Sequence, residues 1–234
     1  MTTLTIGAAE FRSLLNPVLP MASKDEMIPS ICAVLIESDG KWLYATATDR
    51  FRVGIKRIAK RATDDDPTTE WPEFRALLPN RAIKSLLTMF KPTRGSSPAT
   101  ITLTVEDDKL TAEAVGLFDM FDSGRFVHHL ATGEFPKLRN LVREALATPA
   151  DDRASTVGIN PDLMADFKAC GAKTLRVVLG APAKPLVVTD DEGFLGLLMP
   201  RRLLADAPEF EDWSDYIAPR PEPEKSSTRK DSAA

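Results

Sequence analysis

The sequence predicts an α+β fold in which one small unit, a strand followed by a helix and then a short antiparallel sheet, is used three times. A brief apolar alternation leads through a polar step into helical spacing near Leu4, again near Leu77 and again near Val157, copies about 75 to 80 residues apart. After each helical stretch the apolar period changes from 3.6 to 2, the signature of strands. Turn residues then punctuate the strands, most clearly Ser38-Asp39-Gly40 between two alternating runs, a strong hairpin signal.

Taken in order, Leu4 and Ile6 alternate as a strand before Phe11, Leu14, Leu15 and Val18 take helical spacing, with Pro17 interrupting that helix. Strands are predicted over Ile31 to Glu37 and Trp42 to Ala47. In the second copy Leu77-Leu78-Pro79-Asn80 leads to Ile83, Leu86, Leu87 and Phe90, a helix read from Asn80 to Arg94, then strands over Ile101 to Val105 and Leu110 to Val115. The third copy has Val157, Ile159 and Asn160, a helix carrying Leu163, Met164 and Phe167, then strands at Leu175 to Leu179, Leu186 to Val188 and Phe194 to Met199. Asn80 and Asn160 suit helix N-caps, and Pro161 suits the first helical position, where its missing N–H costs nothing.

A single helix on a half-buried sheet leaves an apolar face exposed, so two units should pair into a two-layer domain. Copies one and two can do this within the chain. The predicted division is residues 1–146 as a complete domain, with Gly133 to Leu146 leaving it and Ala147 to Arg153 as linker; 154–204 as a third unit, half a domain; and 205–234 as an acidic and aromatic segment with a disordered tail. The 43% hydrophobic content of the 234 residues is ample for a core. No apolar run approaches the roughly 18 residues of a membrane span and the N-terminus is polar, so a cytoplasmic protein with no membrane association is expected. Cys32 and Cys170 are expected to be buried free thiols. A net charge of −4 argues against coating nucleic acid by bulk electrostatics, so any DNA contact must be local.

Three segments carry a family resemblance: Ala45-Thr46-Ala47-Thr48-Asp49-Arg50-Phe51-Arg52, Gly133-Glu134-Phe135-Pro136-Lys137-Leu138-Arg139, and Leu197-Leu198-Met199-Pro200-Arg201-Arg202-Leu203. In order and spacing they resemble the bacterial DNA sliding clamp, the beta subunit of DNA polymerase III, over about Thr3 to Leu203. The resemblance implies the DNA-clamp fold in shortened form, about one and a half clamp domains where the family has three. If the family's ring is kept, it implies a homo-oligomer of four chains, with the third unit completed by its twin across a two-fold axis.

Two candidate sites follow. The helix from Asn80 holds Arg81, Lys84, Lys91 and Arg94 and no acid, with Arg81, Lys84 and Lys91 opposite its apolar side. Such a stripe suits diffuse, salt-sensitive phosphate contact inside a ring, or is a solvated surface. Arg12, Lys24, Lys168 and Lys173 are weaker DNA-binding candidates because acids lie among them. The second site is the family's groove for partner peptides, which the resemblance carries onto Thr48, Phe51, Arg52 and Val53 and onto Leu198, Met199, Pro200, Arg202 and Leu203, with Ile31 and Pro185 less securely matched. An apolar cleft of this kind accepts an apolar peptide anchor, with Arg52 or Arg202 fixing its polar end. Val53 and Leu198 could equally be strand core.

Enzymatic readings are poor. His128 and His129 are neighbours on a predicted strand, so their rings point apart. Asp64-Asp65-Asp66 and Glu106-Asp107-Asp108 lack calcium-loop spacing, and Gly95-Ser96-Ser97-Pro98 is a plain connection rather than a phosphate cradle. No cofactor or metal is expected. The expected function is a non-catalytic processivity factor that encircles duplex DNA and docks polymerase and other proteins bearing clamp-binding peptides, with or without a clamp loader. The alternative is a clamp-derived adaptor or decoy that binds such peptides without closing a ring.

Overall fold

β1 (Thr2–Gly7) buries Leu4 and Ile6 and exposes Thr3 and Thr5, the alternation a half-buried strand requires. It runs straight into α1 (Ala8–Leu15), which buries Phe11, Leu14 and Leu15. This helix stops where Asn16 donates its N–H to Arg12 O and Pro17, which has no donor, follows. The computed structural model describes residues 1–62, 68–91, 99–115, 123–147, 157–180 and 183–203. Arg94, Asp64 to Asp66, Gly95 to Pro98, most of the linker and the segment 205–234 lie outside them.

β2 (Ala33–Ser38), β3 (Trp42–Thr48) and β4 (Arg52–Ala59) form a meander. The first turn is built as expected: Gly40 has a φ of 87°, and Asp39 accepts the Trp42 N–H at 2.8 Å. β4 is not foreseen from the sequence, because its inward positions are Arg52, Gly54 and Lys56 rather than apolar residues. β5 (Arg75–Pro79) and α2 (Asn80–Met89) open the second copy, followed by β6 (Thr100–Glu106), β7 (Lys109–Val115) and β8 (Ser123–His129).

Two expectations for α2 are corrected. It ends at Met89, with Phe90 closing onto Leu86 O, so Lys91 lies beyond the helix. Asn80 is its first helical residue, not its cap, and donates through Nδ2 to Ser23 O at 2.8 Å, strapping the helix to the loop that precedes β2.

The two copies exchange opening strands. β1 pairs with β6, giving a four-stranded sheet in the order β1-β6-β7-β8, while β5 pairs with β2. α1 packs against β1, β3, β4 and β6, and α2 against β2, β5 and β8, so Leu4, Phe11, Leu15, Leu78, Ile83 and Leu103 share one dry core.

A helix not foreseen, α3 (Arg139–Ala147), precedes the third copy. Leu138, Val142 and Ala145 recur there at helical spacing. The third copy then contributes α4 (Pro161–Ala165), a 3₁₀ turn (Asp166–Cys170), β9 (Arg176–Val178), β10 (Leu186–Thr189) and β11 (Phe194–Leu198). Asn160 caps α4 as predicted, accepting from the Asp162 and Leu163 N–H groups with Pro161 at the first position. The expected opening strand near Val157 is reduced to a bridge between Gly158 and Arg201. Unlike β1 and β5, it has no reciprocal sheet to enter among the described residues. β11 pairs instead with β4, so copy three extends the sheet of copy one in the order β5-β2-β3-β4-β11-β10-β9. The boundary at residues 147–153 remains our proposal. Cys32 and Cys170 are free thiols, half-buried rather than buried; burial pushes the Cys32 thiol up.

Candidate interaction site

The turn between β3 and β4 is organised by Asp49. Its Oδ1 accepts the N–H groups of Phe51 and Arg52, each at 3.0 Å, and Thr48 Oγ1 donates to Arg52 O at 2.7 Å. Arg50 sits in the left-handed region at φ 78°. Met199 N–H donates to Phe51 O at 2.8 Å, which brings the first and last sequence motifs side by side.

Strand alternation then sorts the groove candidates onto two faces. Arg52 and Leu198 are register partners facing the core. Arg52, only 5% exposed, spends its donors internally: Nε to Asp49 Oδ2 at 3.0 Å, Nη1 to Asp166 Oδ2 at 2.8 Å and Leu163 O at 3.0 Å, and Nη2 to Pro20 O at 2.8 Å. It is therefore not free to hold a peptide, contrary to the sequence expectation, and instead ties copy three to copy one. Leu198, Ile31 and Pro185 are buried and line no open surface.

The partners Val53 and Leu197 face the other way. They are 4% and 2% exposed, covered in a second apolar cluster where Leu138, Val142 and Ala145 of the α3 segment meet Val53, Val187 and Leu197. Thr48 is buried through its own turn, Pro200 is half-buried, and Phe51, Met199, Arg202 and Leu203 are exposed, Phe51 at 59%. Along the same outer face lies an open cleft of about 1010 Å³ between α3 and the strands, with Leu35, Ile55 and Leu195 on the sheet side and Leu138, Val142 and Leu146 on the helix side. Its rim is charged, and Glu37 there accepts from Arg75 at 2.7 Å and Arg139 at 3.0 Å. Tyr44, also in the lining, has its phenol pushed up first by burial and then by its hydrogen bond to Asp39. Sequence reading missed this helix-and-sheet cleft; the helical spacing of Leu138, Val142 and Ala145 was the available signal.

On α2, Arg81 and Lys84 are exposed together with Ser85 and Thr88, while Ile83, Leu86 and Leu87 are buried. No ion pair engages Arg81, Lys84, Lys91, Lys24, Lys168 or Lys173 among the described residues, and Lys24, Lys91, Lys168 and Lys173 are exposed. Arg12 differs, being half-buried and donating through Nη1 to Leu87 O, where it satisfies a carbonyl in the last turn of α2. His128 and His129 follow each other on β8, and His129 bonds Asp108 at 2.8 Å, holding that carboxyl below its ordinary range.

No protein-family model matches the chain. Residues of the chain are 33% identical over 143 positions to a curated "Beta sliding clamp" from Micrococcus luteus, a match covering 60% of this chain and 41% of that protein. The fold overlays the DNA polymerase III beta subunit of Thermotoga maritima with a TM-score of 0.64 at 16% identity, covering 87% of this chain and 66% of that one. The chain is similar to bacterial sliding clamps. The sliding clamp of Bacillus subtilis gives the same TM-score, 0.64, at 13% identity, covering 87% and 65%. The chain thus has the DNA-clamp fold and spans about two thirds of the length of these clamp structures. It spans under half of the curated relative. Among the described residues no helix is long and apolar enough to cross a membrane.

Proposed function

We propose that this chain is a non-catalytic, cytoplasmic DNA sliding-clamp-like replication factor that encircles duplex DNA as a homo-oligomer and docks polymerase through the outer face of its long sheet. The observation that carries this reading is the division of faces. Helix α2 offers Arg81 and Lys84 with no acid on that helix and no ion pair among the described residues, while the sheet offers an apolar, charge-rimmed cleft on another surface. Diffuse cations of this kind attract phosphate without reading sequence, and their effect weakens steeply with salt. Light scattering gives the assembly; retention on circular against linear DNA then tests encirclement. A closed oligomer held on circles, released on linearisation, and weakened by Arg81→Glu with Lys84→Glu is expected. Equal retention on both DNA forms sinks encirclement, and an unchanged double variant reduces the basic stripe to a solvated surface.

A second reading is favoured by the opening segment of copy three, whose strand pairing among the described residues is the Gly158 bridge to Arg201. A clamp-derived adaptor that binds peptides without closing a ring fits that unfinished unit. A monomer at every concentration, with no preference for circles, would select it.

A further inference from the structure

We propose that α3 is a built-in occupant of the peptide seat, a segment of the chain that an incoming apolar peptide must displace. The inference rests on the reading of the outer sheet face as a docking surface and identifies what holds it shut. Val53, directly after the first motif, and Leu197 of the last, both aimed outward, are the floor on which Leu138, Val142 and Ala145 sit. A seat formed from two distant motifs is therefore filled by a third segment of the same chain.

The cover is weakly held. Only Ala145 of α3 is buried; Leu141 is 37% and Leu146 58% exposed. A helix this short has little stability of its own, so its order depends on the seat. Its first residue, Arg139, is fastened by an ion pair to Glu37 with the arginine largely exposed, a contact of small worth in water. Upstream, Gly133 at φ 91° lies in the region where glycine is unstrained, a natural pivot for the segment. The apolar trough also continues past the helix: the cleft beside it exposes Ile55 and Leu195 on the sheet and the flank of Val142. An apolar side chain can enter there before α3 leaves. Phe51 and Met199, exposed and joined by a backbone hydrogen bond, extend the same strands beyond the covered part.

The competitor already exists as a sequence, which makes the test direct. A fluorescent peptide of residues 133–147 is titrated by anisotropy against the full chain and its variants. When a site is open only a small fraction of the time, the apparent affinity falls by that fraction. Val142→Asp, which unseats the chain's own α3, should therefore bind the peptide at least about tenfold more tightly than the unaltered chain. Adding Val53→Asp to it should remove the gain. Arg139→Glu leaves the floor and core untouched and should give a smaller gain, about two- to fivefold; it keeps the test valid if Val142→Asp fails to fold. Binding no tighter than the unaltered chain in the folded variants overturns the proposal, as does a gain that survives Val53→Asp. The readout involves neither DNA nor assembly, so failure of the ring and failure of the occupied seat are seen separately.

Discussion

Copies one and two are joined differently from copies one and three. The first pair trades opening strands, β1 for β5, and buries a common core to which β1, β2, β3, β5, β6 and β7 each bring leucine, isoleucine, valine or alanine. The second pair meets along one strand edge, β4 against β11; copy three adds Phe167, Leu186, Val188, Phe194 and Leu198 to the same core, but Arg52 and Lys56 stand on the inward side of that edge. Each cation is answered across the junction, Arg52 by Asp166 and Lys56 by Asp190 at 3.5 Å and Glu192 O at 2.7 Å. Strand exchange makes two copies one folding unit. An edge with buried charges makes a junction whose geometry is specified by a few polar partners, and that junction is where removing one group leaves others buried and unpaired.

The largest effect is expected at the shared core. Phe11→Ala removes a fully buried ring and should cost roughly 3–5 kcal/mol, with the strands of both copies losing protection together in hydrogen exchange. If β1 and β6 stay protected while β2 to β5 open, the copies are not one unit. Next is Arg52→Ala, which strands Asp49 beside a partly exposed Asp166 and should cost about 3 kcal/mol. Here exchange should rise first in β9 to β11, and uniform loss across both sheets would contradict the strap role. Third is Gly196→Ala. A methyl group there would come within 2.2 Å of the Phe167 ring, so overpacking of about 1–3 kcal/mol is expected, confined to the third copy. An unchanged melting temperature would show that Phe167 has room to move.

The smallest effect concerns acid. The Trp42 N–H, and then the Tyr44 hydroxyl, hold the Asp39 carboxyl below its ordinary range, with Arg139 adding a weaker pull. A carboxyl lowered in the folded state contributes stability above its unfolded value and loses it as pH falls through the folded one. Acid below the ordinary aspartate range should therefore loosen the β2–β3 turn, and Asp39→Asn should flatten that part of the stability profile. An unaltered profile in the variant would place the acid response elsewhere.

The three-copy organisation, β1 with α1, the Ser38-Asp39-Gly40 turn, the Asn160-Pro161 helix start and the basic side of α2 were legible because each depends on neighbours in the chain. Local periodicity, capping and turn chemistry state such features directly. β4 was not legible, since its inward Arg52, Gly54 and Lys56 hide the strand period; they become reasonable only once Asp49, Met21, Asp166 and Asp190 surround them. The same holds for Arg52, which reads as a free cation in a motif and is a buried strap in space. Sequence by itself determined the repeated unit and the clamp resemblance. Tertiary structure alone decided that β1 and β5 change places, that β11 closes on β4, and that α3 lies over Val53 and Leu197, because pairing partners and burial depend on segments far apart in the chain, which no local pattern records.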